Sequence, residues 1–129
     1  MRVVAVLALA LVLGRTAAAA PAWKPYADCA GVMAAWSLAE MGKEQNVPAY
    51  MRSKYVKRAE FFSTGARNLR RMAHTLPGYT EKSFLAAGEK RLLGIELGLK
   101  ENVSRGARKM GEEMVPCAHM AGLRMRWLP

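Results

Sequence analysis

Two cysteines, Cys29 and Cys117, and two histidines, His74 and His119, are the side chains of this 129-residue sequence with the widest chemical range. The cysteines stand 88 positions apart and share neither a C-x-x-C spacing nor a surrounding cluster of other ligands, so redox catalysis and zinc binding lack their usual sequence support. A structural disulfide within the chain is the first expectation. In the chain-entropy account, closing a loop of that length stabilises a fold by about 4 to 5 kcal/mol.

His74 falls at the end of a helical pattern, where a cation complements the exposed carbonyls of the helix terminus. His119 lies in Pro116-Cys117-Ala118-His119-Met120, with one cysteine at the wrong spacing for the C-x-x-C-H signature of covalent haem attachment. Non-covalent haem between Met33 and His119, or copper held by His119, Met120 and Met125, forms the alternative functional reading. Methionine at helical spacing is more often core filler, and no cofactor is expected. Nucleophilic catalysis has no foothold either. Ser37, Ser53, Ser63, Ser83 and Ser104 lack a G-x-S-x-G context, and the single aspartate, Asp28, reads as a helix cap. The sequence therefore points to a non-enzymatic protein.

Charge carries a stronger signal. Arg52, Lys54, Lys57, Arg58, Arg67, Arg70 and Arg71 accompany a single acid, Glu60, in the stretch 52–71. On a helical wheel they wrap a whole polar side, either as a solvated face or as a surface for anions. Arg52, Lys54, Lys57, Arg67, Arg70 and Arg71 are the candidate anion- or partner-binding residues. Arg58 borders the apolar stripe, as do Glu89 and Glu96 on the next helical segment, and a cross-helix pair between Arg58 and one of these glutamates is expected. The C-terminal Leu123-Arg124-Met125-Arg126-Trp127-Leu128-Pro129 mixes cations with apolar side chains, a composition suited to a membrane surface or a partner groove.

The compartment follows from the N-terminus. Met1-Arg2, the apolar run Val3 to Leu13, and Gly14-Arg15 before Ala17 to Ala20 have the three-part layout of a cleavable secretory signal, with cleavage after Ala19. The run of 11 apolar residues is short of the roughly 20 that span a bilayer. The expectation is a signal peptide at 1–19 and one exported domain at 20–129, periplasmic or secreted, with no membrane span left after cleavage. Without Arg2 and Arg15 the remainder carries 18 basic and 10 acidic residues. A basic protein in that compartment meets anionic lipid, glycan or acidic protein before it meets genomic nucleic acid.

Hydrophobic periodicity places these residues on an all-α bundle of three or four helices. Segments are expected at about 28–42, 47–75, 80–104, 106–114 and 116–127. The first places Cys29, Val32, Met33, Trp36 and Ala39 on one face, beginning at Asp28. The second carries the clearest stripe: Met51, Tyr55, Phe62, Ala66, Leu69, Ala73 and Leu76. Pro77-Gly78 ends it, and Thr80 caps the next. The third region is striped by Leu85, Gly88, Leu92, Leu99, Val103, Gly106, Met110 and Met114 but interrupted by glycines. Unbroken, it would be about 52 Å long and would carry Cys117 about 30 Å past Cys29. A disulfide tolerates only about 4.4 to 6.8 Å between Cα atoms, so a turn near Ser104-Arg105-Gly106 is required. Asn102-Val103-Ser104 matches a glycosylation sequon that a helical setting would make accidental.

Overall fold

The structure is a computed structural model that describes residues 19–124. The signal-peptide expectation and the end of the tail, including Met125 and Trp127, lie outside those residues. Four helices follow in order: α1 (Lys24–Gln45), α2 (Ala49–Ala73), α3 (Glu81–Glu101) and α4 (Val103–Met120). No strand occurs among the described residues, and a single disulfide joins Cys29 to Cys117 within the chain. No described helix is long and apolar enough to cross a membrane.

Helix α1 is the hub. The other three helices all pack on it, α3 also packs on α4, and α2 makes no comparably extensive contact with α3 or α4. Its sequence fits that position, because small and apolar residues surround it: Ala27, Ala30, Gly31, Val32, Met33 and Ala35 are all buried. A helix that is apolar on most sides belongs in the interior. The expected single face was therefore too narrow, and Ala39, assigned to it, is exposed. The start differs as well. Helix α1 begins at Lys24 with Pro25 in its first turn, where the missing N–H would have no helical partner anyway. Asp28 is not the cap but lies in the second turn, paired with Lys24 at 3.2 Å.

Helix α2 runs antiparallel to α1 after a short connection. Phe62, Leu69 and Ala73 are fully buried, while Met51 and Tyr55 at the N-terminal end are half-buried. Trp36 stacks on Phe62 with ring centroids 5.5 Å apart, and its indole N–H donates to the Met110 carbonyl at 3.4 Å. This one side chain links α1 to both α2 and α4.

The break between α3 and α4 falls at Asn102, just ahead of the expected Ser104 to Gly106. Asn102 adopts an extended conformation, and its side chain accepts a hydrogen bond from the Arg105 backbone N–H at 3.0 Å, capping α4. The sequon asparagine therefore sits between helices rather than within one. Gly106 serves the turn differently: a Cβ there would lie 2.9 to 3.0 Å from Leu99, so only glycine lets α4 fold back this closely on α3.

Two further expectations are corrected. The separate segments at 106–114 and 116–127 are one helix to Met120, with Pro116 inside it. Proline costs a helix one hydrogen bond, yet Met114, Cys117 and Ala118 are all buried on one face, and the disulfide holds that face against α1. On α3, the buried residues are Phe84 and Ile95 rather than Leu85, which is 50% exposed. At 100° per residue Phe84 and Ile95 are centred roughly 60° from the expected stripe, of which Gly88, Leu92 and Leu99 stay half-buried and Leu85 alone, at the stripe's outer edge, turns to solvent. The cause is a close crossing: a Cβ on Gly31 would lie 2.5 Å from the Gly88 carbonyl oxygen and 2.8 Å from Arg91 Cβ. Backbone contact at this point fixes which side of α3 meets α1.

Candidate functional site

Helix α2 offers its apolar edge to α1 and turns its cations outward. Arg52, Lys54, Lys57, Arg67, Arg70 and Arg71 are all exposed. They form two groups separated by about 15 Å of helix. Lys54 and Lys57 border a shallow depression of about 640 Å³ with Arg58, Glu60 and Phe61. Arg67, Arg70 and Arg71 line another of about 430 Å³, together with His74 and Thr75. Arg52 lies outside both sets of lining residues.

The second group is the more organised. Arg67 donates to the Thr64 hydroxyl at 3.2 Å, and Arg70 pairs with Glu81 at the start of α3. Arg71 has no ion-pair partner among the described residues. His74 is the C-cap of α2, as its position in the sequence suggested, and its ring lies 5.2 Å from that of Tyr79. The depression thus gathers three guanidinium groups and an imidazole at the helix end.

Charge pairing within the fold follows other residues than those expected. Arg58 lies over the Tyr55 ring at 5.9 Å, while Glu89 and Glu96 are exposed and make no ion pair among the described residues. The cross-helix pairs are instead Arg91 with Glu113, joining α3 to α4, and Arg70 with Glu81.

The residues of the metal reading are placed apart in character. Met33 is completely buried, with its sulfur 3.2 Å from where a Gly65 Cβ would be. His119 is exposed and Met120 half-buried near the end of α4. Among the described residues no group of three or more histidine, cysteine, aspartate or glutamate side chains could hold a metal ion.

Two polar features went unread in the sequence. Ser37 and Glu40 are buried on α1, facing inward with Met33. The Ser37 hydroxyl bonds to the Ala59 carbonyl at 3.0 Å and to the Ser63 hydroxyl at 2.8 Å. One Glu40 oxygen is 3.6 Å from the Lys43 ammonium, and the other has no hydrogen-bond partner among the described residues. The signal was present, since both follow Met33 at i+4 and i+7 on the apolar stripe. No protein-family model, curated protein or solved structure matches this chain.

Proposed function

We propose that this is an exported, non-enzymatic protein that binds an anionic component of the cell envelope through the outer face of α2. The observation that carries this reading is that all six candidate cations of that face are exposed and, among the described residues, only Arg70 of the six forms an ion pair. A cationic surface left largely unneutralised attracts anions over a Debye length of about 8 Å at physiological salt. Support for export comes from the signal-like N-terminus and from the Cys29 to Cys117 bond, a type that persists in oxidising compartments.

Co-sedimentation with phosphatidylglycerol vesicles, phosphatidylcholine vesicles and immobilised heparin tests the reading across a salt series. Binding to the anionic supports that falls steeply as salt rises is the expected result. Indifference to all three at low salt overturns it, and capture of an acidic protein alone would move the partner from lipid or glycan to protein.

A further inference from the structure

Because α2 and α3 both lie on α1 without packing extensively on each other, a valley remains between them, forming a groove of about 320 Å³. Ala30, Gly31 and Ala34 of α1 are its floor, with Leu85 and Leu92 on the α3 wall. Its floor carries no side chain longer than a methyl group, and Leu85 stands half-exposed at its mouth. The apolar line continues past the groove, since Leu38 and Met41 follow Ala34 at i+4 and i+7 and are both exposed.

Arg67 and Arg70 line this groove and also the basic depression that holds Arg71 and His74. The antiparallel pairing of α1 and α2, seen in Met33 against Gly65 and Ser37 against Ala59, puts Arg70 toward Ala30. The cationic end and the apolar end are therefore distinct. Glu89 on the α3 wall and Glu81, paired with Arg70, offset part of the charge, leaving the excess on Arg67 and Arg71.

We propose that this valley binds a single-chain amphiphile with a phosphate head, its alkyl chain over Ala30 to Ala34 and its phosphate at Arg67 and Arg71. The inference rests on the anion-binding reading of α2 and assigns it a ligand class. The described C-terminal segment covers the opposite flank of α2, where Asn68 donates to the Ala121 carbonyl and Leu123 lies against Gly65, so it does not occupy the valley.

Titration calorimetry with hexyl, octyl and decyl phosphate below their micelle concentrations tests the proposal, with inorganic phosphate and decyltrimethylammonium as controls. One-to-one binding should tighten about fourfold per methylene, equivalent to about 0.8 kcal/mol each. Ala34→Phe fills the floor and should weaken decyl phosphate by roughly an order of magnitude, the equivalent of about two buried methylenes, while leaving vesicle binding intact. Leu85→Asp, at a half-exposed position, should do the same and serves if Ala34→Phe does not fold.

Equal affinity for hexyl and decyl phosphate, equal affinity for the cationic amphiphile, or no effect of either folded variant would overturn the proposal. A dimer in sedimentation analysis that Leu85→Asp dissociates would also overturn it, by placing a second copy in the valley. If vesicles bind and alkyl phosphates do not, only the groove assignment fails. If neither binds, the anion-binding reading fails with it.

Discussion

The carbonyl oxygen of Gly88 lies 2.5 Å from where a Cβ on Gly31 would stand, so α1 and α3 meet backbone to backbone. This crossing sets the rotation of α3, leaves Leu85 at the valley mouth and brings Arg91 within reach of Glu113.

Gly31→Ala should therefore destabilise the protein by about 1 to 3 kcal/mol, the usual range for overpacking, because the obstructing atom is backbone and cannot rotate away. Gly94 provides the opposite case. It is exposed inside α3 with nothing within 4 Å of its Cβ position, so Gly94→Ala should stabilise by about 0.5 to 1 kcal/mol through helix propensity. Urea unfolding followed by circular dichroism reads both. Equal effects of the two substitutions would show that the crossing is looser than this geometry.

Removing the disulfide should cost far more. The bond joins the start of α1 to the end of α4, with Cα atoms 5.1 Å apart across 88 positions. About 4 to 5 kcal/mol of chain-entropy stabilisation is a large share of the about 5 to 15 kcal/mol that holds a typical domain together. Cys29→Ser, Cys117→Ser and the double substitution should unfold at similarly lowered denaturant concentrations, and a reducing agent should bring the parent protein to the same midpoint. A parent midpoint unmoved by reduction would show that packing alone closes the bundle.

Much of this architecture was legible in the sequence for a geometric reason. Requiring Cys29 to meet Cys117 forced the third helical region to fold back, and the break falls within four residues of Gly106. What stayed hidden was rotation and burial between helices. Gly88, Leu92 and Leu99 of the expected stripe do lie toward the core, yet the close approach of Gly31 to Gly88 draws Phe84 and Ile95 in and leaves Leu85 out, which no single-helix pattern encodes. Pro116 read as a helix start because local propensity favours it, whereas burial on both sides of it keeps α4 continuous. For the candidate site, the periodicity placed the cations on the outer side of α2. It did not show that Arg67 and Arg70 border an apolar valley, since that valley is made by three helices at once.

The basic face makes a quantitative prediction of its own. A cation close to an anionic membrane surface contributes about 1 kcal/mol. Replacing Arg67 and Arg71 with glutamine should weaken vesicle binding by about 2 kcal/mol, close to thirtyfold, and flatten its salt dependence. Replacing Lys54 and Lys57 instead distinguishes a membrane laid along all of α2 from one that meets only its C-terminal end. In the first arrangement both pairs matter about equally, and in the second Lys54 and Lys57 contribute little. Vesicle sedimentation at two salt concentrations separates the outcomes.

The polar residues inside the core predict opposite signs for neighbouring substitutions. A hydroxyl has one hydrogen to donate, so if Ser37 donates to the Ala59 carbonyl, Ser63 must donate to Ser37. Ser37→Ala leaves the Ser63 hydroxyl without this acceptor in a partly buried site and should cost about 1 to 3 kcal/mol. Adding Ser63→Ala removes the stranded group, so the double substitution should cost less than the sum of the single ones. Glu40, one turn away, behaves otherwise. It is 2% exposed, and among the described residues one of its oxygens lacks a hydrogen-bond partner and its one ion pair is with the largely solvated Lys43 ammonium. A buried charge with so little compensation is worth less than a well-packed apolar side chain of similar size. Glu40→Met should thus stabilise the protein by about 1 kcal/mol, measured by the same urea unfolding. A loss of stability would mean that the Glu40 carboxylate has a compensating partner in the folded protein.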